Sequence, residues 1–313
     1  MKPRDRAIIA LEGKQPDIVP HFEIEMQLTE EYFGKHLVTR EEWDSDPSKA
    51  NEYIKKNAEL LTQIADTFNY CIIFCHFLVP RGVNLDIFID AIKVLKEIDE
   101  GKRLLVDYGD STLAIPTGEN MERLAYELAD KPDEIKAEQE MALDKTLERG
   151  RKVVEAGIEG YIMGSDYCFN DGPFLSPTMF SEFVTPYLTK LIKGYRDMGA
   201  YTIKHTDGDI MPILDQLIEA NPHALHSLDP MAGVDIKAIK KLYGNKVCLI
   251  GNVNCALMQT GSEEEILESC RYAMENGKPG GGYIFSTSNV IFKGMPKKSY
   301  DLMLDYYQKN NGY

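Results

Sequence analysis

An imidazole and a carboxylate stand two residues apart where the apolar run Tyr201–Lys204 ends, in His205-Thr206-Asp207-Gly208. Histidine with carboxylates is a donor set that zinc accepts, and a catalytic zinc takes three protein ligands and leaves one position open. Glu23, with Glu25 near it, is a candidate third ligand. Asp166 is a candidate to orient a ligand or to bind a substrate hydroxyl. His76 follows the run Tyr70–Cys75 and has the chemistry for acid–base work near neutral pH. Asn252 and Asn289 mark two further strand ends. Tyr167 and Phe169 have the aromatic surface to line a substrate pocket.

Each assignment has a plainer competitor. A histidine at a strand end is often just hydrogen-bonded there. Asp207 before Gly208 also suits an Asx turn or the N-cap of the following helix. Glu23 and Glu25 read equally as solvated loop acids, Asp166 as a cap in the loop SDYCFNDGP, and Tyr167 as core. His223 and His226 form an HxxH pair, but Pro222 precedes them and the segment enters a strand, so they read as structural.

What must position these residues is an alternation of strand and helix. Tyr201–Lys204, Ala224–Leu228 and Val247–Ile250 are short apolar runs, separated by the helical stretches Ile210–Ala220 and Val234–Leu242. The same rhythm extends outward. Asp17–Glu25, Tyr70–Cys75, Arg103–Tyr108, Thr112–Pro116, Gly160–Gly164 and Gly281–Ser286 read as strands or strand-like runs. Ser48–Ala65, Ile87–Ile98, Pro132–Ala156, a stretch from Ser176 to about Met198, Ser262–Asn276 and Met295–Gln308 read as helices. Alternation of this kind implies parallel strands joined by crossover helices. With about eight such units and no linker or low-complexity tract, residues 1–313 read as a single (β/α)8 TIM barrel, whose chemistry lies at the C-terminal strand ends.

Composition narrows the function. Asp and Glu outnumber Lys and Arg by 50 to 35, for a net charge of −15; such a surface repels phosphate backbones and argues against nucleic acid. The N-terminal apolar patch is too short for a signal-peptide core, and no run approaches a membrane span. Six scattered cysteines without a CxxC pair fit reduced thiols. The expectation is a cytoplasmic protein with no membrane partner.

The stretches RDRAIIALEGKQPDIVP, YCIIFCHFLVP, DGPFLSPTMFSEFVTPYLTKLI, GNVNCALMQTGSEEEI and GGYIFSTSNVIFKGMP, in that order, resemble the uroporphyrinogen decarboxylase superfamily. The resemblance spans nearly the whole chain and implies one barrel. It also implies that the decarboxylases' own chemistry is altered here. Their arginine-rich loop after the first strand reads His21-Phe22-Glu23-Ile24-Glu25-Met26-Gln27, without arginine. Their catalytic aspartate corresponds to His76, and the histidine of their last strand end to about Asn289. Uroporphyrinogen, with its several carboxylates, is therefore not the expected substrate. The superfamily's corrinoid-dependent methyltransferases include a thiol-methylating branch that holds zinc with His-x-Cys and a later cysteine. Here the pair reads His205-Thr206-Asp207, with serines and Asn289 where the cysteine would be.

The resemblance thus implies a methyltransferase moving a methyl group from a small methylated, most simply methoxylated, compound to a corrinoid (cobalamin) on a separate carrier protein. Zinc on His205, Asp207 and Glu23 would serve as Lewis acid. His76 and Asp166 would be catalytic, and Tyr167, Asn252 and Asn289 would bind substrate. No DxHxxG cobalamin-binding signature occurs in the chain, in keeping with a separate carrier. The alternatives are a decarboxylase of a smaller acid, which rim cations would favour and few are evident, and a non-catalytic small-molecule-binding barrel.

Overall fold

In the computed structural model, which describes residues 1–313, the short apolar runs become parallel strands. They are β1 (Ile72–Phe74), β2 (Leu104–Tyr108), β3 (Gly160–Met163), β6 (Tyr201–Thr206), β7 (Ala224–Ser227), β8 (Cys248–Val253) and β9 (Tyr283–Thr287). Between β3 and β6, a two-stranded antiparallel hairpin is formed by β4 (Cys168–Phe169) and β5 (Gly172–Pro173). The seven-stranded sheet runs β1-β2-β3-β6-β7-β8-β9, parallel at each pairing. Helices fill the crossovers, as parallel pairing requires. The sheet is curled, because its two edges meet at one residue: His21 bridges Tyr70, next to β1, and Phe285, in β9.

That meeting is irregular. The expected strand Asp17–Glu25 forms isolated bridges rather than a ladder. Pro20 has no N–H and can only accept, which it does from Phe285 N at 2.9 Å. Phe22 N returns a bond to Phe285 O at 3.2 Å, and Cys71 N donates to His21 O at 2.8 Å. The architecture is α/β and TIM-barrel-like, with seven regular strands where about eight were expected.

Side chains alternate in direction along each strand and divide the interior in two. An inner cluster gathers Ile72, Phe74, Leu104, Val106, Ile162, Ile203, Ala224, Cys248, Ile250 and Ile284. Ala7, Ala10 and Leu11 of the helix Pro3–Leu11 join this cluster and plug its lower end. The larger outer cluster fills the space between strands and helices, with Ile73, Leu105, Leu225, Leu249 and Phe285 among its members. The inward register decides the site: continuing Ile203 by two reaches His205, Ala224 by two reaches His226, and Val106 by two reaches Tyr108.

The helices follow the pattern with two corrections. Pro132–Ala156 is one helix, closed by Gly157 at φ +124°. The stretch expected as a single helix from Ser176 to about Met198 is two, Pro177–Phe183 and Thr185–Asp197. Pro186 lacks the N–H that would carry the ladder on, and sits in the first turn of the second helix, where none is needed. Pro212 likewise turns the start of the Ile210–Ala220 stretch into a 3-10 turn before the helix Leu214–Glu219. Thr112–Pro116 is not a strand. Its backbone folds over the loop after β3, Ile115 N bonding Asp166 O at 2.9 Å. No helix is long and apolar enough to cross a membrane.

Candidate active site

β6 and β7 pair with His205 opposite His226, and both side chains face the barrel axis. Their Nδ1 atoms lie 2.8 Å apart, so one carries the proton and the other accepts it. Burial, and then the neighbouring His205, push the His226 imidazolium well below its ordinary range and hold it neutral. His205 thus has one ring nitrogen engaged by His226 and the other, Nε2, turned to the mouth.

Two carboxylates face that nitrogen. His205 Nε2 is 3.9 Å from Asp166 Oδ1 and 3.9 Å from Asp207 Oδ1. These separations are too long for hydrogen bonds. One donor atom from each of the three residues lies within 4.8 Å of the other two. Asp207 Oδ1 is buried and makes no hydrogen bond within the chain, whereas Asp207 Oδ2 accepts from Asn289 Nδ2 at 2.6 Å. Asp166 Oδ1 accepts from the Asp207 backbone N–H at 3.1 Å. Burial pushes the Asp207 carboxyl up; His205 opposes this and Asp166 adds to it. A buried acceptor without a donor, facing an imidazole and a second carboxylate across a gap, is what a divalent cation would satisfy. The residues present fit a zinc ion.

Of the three proposed metal ligands, His205 and Asp207 come together and are joined by Asp166. Glu23 lies elsewhere. Its side chain is fully buried and accepts from Thr287 N (3.0 Å), Thr287 Oγ1 (2.5 Å) and Ser286 Oγ (3.2 Å), tying the irregular first segment to β9. Glu23→Ala is expected to destabilise the fold by about 2–4 kcal/mol, since it strands three buried donors. Zinc content is expected to stay that of the wild type. Urea denaturation and elemental analysis read the two effects separately, and a loss of zinc from a still-folded variant would return Glu23 to the ligand set.

The remaining candidates are distributed around the mouth. His76 stacks on Phe74 and accepts from Arg81 Nε at 3.1 Å. Burial, with Arg81 and Arg149 nearby, brings its pKa down to about 4, so it is neutral at physiological pH. Asn289 holds Asp207. Asn252 is buried and donates to Leu228 O at 2.9 Å. Tyr167 lies under the rim, its hydroxyl 2.5 Å from Thr112 Oγ1 and its ring 4.0 Å from Lys204 Nζ. Phe169 is exposed on the hairpin.

Several contributors escaped the sequence. His226 backs His205, a role hidden by the HxxH spacing but visible once β6–β7 register is known; His223 instead bonds Thr202. Tyr108 stands between the His76 and His205 regions, its ring centroid 5.5 Å from that of His76. A Cβ built on Gly164 would lie 3.2 Å from Tyr108 Cε2 and 3.9 Å from His205 Cδ2, so the lack of a side chain lets the Tyr108 ring pack closely there, next to His205. Lys204, fully buried, binds Asp110 Oδ2 (3.0 Å) and Ser165 O (2.8 Å), fixing the loop that carries Asp166. The rim also has more positive charge than the strand ends alone suggested. Arg81 lies just beyond His76, and Arg149 reaches up from the helix Pro132–Ala156. Spacing along the chain gives no sign of that approach.

The family profile described as "Uroporphyrinogen decarboxylase (URO-D)" matches residues 79–309. Among solved structures, a methyltransferase from Methanosarcina mazei superposes with a TM-score of 0.75 at 16% sequence identity, covering 99% of this chain and 99% of that one. Dihydrodipicolinate synthase from Aquifex aeolicus superposes with a TM-score of 0.45 at 9% identity, covering 82% of this chain and 70% of that one. No curated protein matches the chain.

Proposed function

The chain belongs to the uroporphyrinogen decarboxylase family, and from that premise we propose that it is a methyltransferase acting on a small methylated, most simply methoxylated, compound. The methyl acceptor in this reading is a corrinoid presented by a separate carrier protein, and the setting is the cytoplasm. One observation carries the reading: His205, Asp166 and Asp207 face one another across a gap, with a buried oxygen of Asp207 unpaired. The family membership and the fold shared with a methyltransferase support it.

His205, Asp166 and Asp207 would hold zinc. When bound, zinc supplies a Lewis acid for an ether oxygen, and the corrinoid supplies the methyl acceptor. The chain's own residues do the rest. For His205 to offer Nε2 to a metal, its proton must sit on Nδ1 and be donated to His226 Nδ1, which the neutral His226 accepts. Asn289 fixes the carboxylate plane of Asp207 through Oδ2, leaving Oδ1 turned toward His205. Replacing the thiolates of a His/Cys site by carboxylates makes the donor set harder, which suits an oxygen substrate better than a thiol. His76, expected to do acid–base work near neutral pH, is instead held neutral with its Nε2 accepting from Arg81, and its part in this reading is to hold that arginine at the cavity wall.

The test is a screen of methylated donors with cobalt(I) cobalamin, following its visible spectrum. Conversion to methylcobalamin with a methoxylated donor, dependent on zinc, is the expected result. No conversion with any methoxylated donor in zinc-loaded protein would overturn the reading. The decarboxylase alternative gains one observation, the arginines beside His76. It predicts carbon dioxide released from a small acid without a methyl acceptor.

A further inference from the structure

We propose that the cavity beside His76 is a carboxylate subsite, in which Arg81 receives an anionic end of the substrate whose methyl group lies toward the Asp166–His205–Asp207 trio. This rests on the methyl-transfer reading above and gives its substrate a class: small methoxylated carboxylates rather than neutral ethers.

The cavity is about 320 Å³ and is bounded by β1 and β2 ends and by helix side chains, with Arg81, Arg149, His76 and Tyr108 in its wall. Two aspartates, Asp107 and Asp110, line it together with the two arginines, and both acids are already paired. Asp110 is bound to Lys204. Asp107, facing outward from β2, is taken by Arg149, whose Nη2 is 2.8 Å away. Arg149 is further fixed by packing over Phe88, 5.2 Å from the ring centroid. That leaves Arg81 without a carboxylate. Its one side-chain bond runs from Nε to His76 Nε2, and both terminal nitrogens are unused within the chain.

Arg81 is also held from behind, its carbonyl accepting from Arg40 Nη1 at 2.9 Å. A guanidinium anchored at Nε and at its own backbone presents its remaining donors in a fixed fork, the geometry that matches a carboxylate. Burial keeps His76 neutral, so its Nε2 can accept from Arg81. Continuity with the trio comes from Tyr108 and Gly164. Tyr108 borders the cavity beside His76, and Gly164 lies against both the Tyr108 ring and His205, so Tyr108 spans from the cavity toward the trio. In this arrangement the substrate's anionic end lies on Arg81 and its ether end at the acids, where a second negative charge would be repelled.

The experiment is calorimetric titration of zinc-loaded protein with methoxyacetate and with 2-methoxyethanol, which differ chiefly in the carboxylate. Wild type is expected to bind methoxyacetate at least about tenfold more tightly, the effect of a charge-assisted bidentate contact. Arg81→Gln is expected to collapse that preference toward one, and Arg81→Lys to restore it in part. Arg81 is exposed and has few contacts, so circular dichroism is expected to be unchanged. No methoxyacetate binding, no preference in wild type, or an unchanged preference in Arg81→Gln would overturn the subsite. The methyl-transfer assay separates the two readings. A preference lost in Arg81→Gln, with no transfer from these or any other methoxylated donor, overturns methyl transfer and leaves the subsite standing. Transfer at equal rates from both donors in wild type does the reverse.

Discussion

His205→Ala loses zinc and methyl transfer together: zinc is expected to fall from about one per chain to background, and transfer by roughly a hundredfold or more. The reason is geometric. His205 is the only nitrogen donor in the trio, and its Nε2 is the point both carboxylates face. Without it, two carboxylates remain, a set that zinc shares with harder, more abundant cations. The fold is expected to survive, since His205 lies at the mouth and packs mainly on His226. The measurement is elemental analysis of wild type and variant after zinc loading and desalting, with circular dichroism and the cobalamin assay alongside. Equal, substantial zinc in both proteins would remove His205 from the ligand set. Absence of zinc from both would sink the metal and move the non-catalytic binding barrel ahead.

Asp110→Ala is expected to have the largest effect on stability, about 3–5 kcal/mol, because it leaves a fully buried lysine without its counter-ion. Both side chains of the Lys204–Asp110 pair are inaccessible to solvent. Burial alone would raise the Asp110 carboxyl, but Lys204 and bonds from Thr112 and Ser165 outweigh it and hold the group below its ordinary range. Burial pulls Lys204 the other way, lowering its pKa against the attraction of Asp110. The variant also frees the loop of Ser165 and Asp166, so zinc affinity is expected to fall along with stability. Lys204→Met added to Asp110→Ala removes the orphan charge and is expected to recover part of the loss. Urea midpoints of the three proteins decide the matter. A cost below about 1 kcal/mol for the single variant would mean that Lys204 loses its proton or reaches water without much penalty.

Much of the frame was legible in the chain. Short apolar runs ended by polar residues, with helical stretches between, have few physical solutions other than parallel strands with crossovers, because each run must bury both faces. Proline and glycine marked helix ends where they act locally, as at Pro132 and Gly157. They misled where one proline, Pro20 or Pro186, breaks an element that periodicity alone would continue. The nearness of His205 and Asp207 was visible too, because they stand two residues apart where the strand ends.

What only the tertiary structure decided was which side chains meet. Along the chain Glu23 read as the third ligand and Asp166 as a residue that orients a ligand or binds substrate. Packing gave Glu23 to Thr287 and left Asp166 facing His205. His226 became the partner of His205 through the register of β6 on β7, a quantity that no local sequence pattern contains. Lys204, Asp110, Arg81 and Arg149 carry the local electrostatics, and they come from four separate segments. Their effects depend on distances across the fold and on burial, which fall off within a few ångströms and are set only when distant parts of the chain pack together.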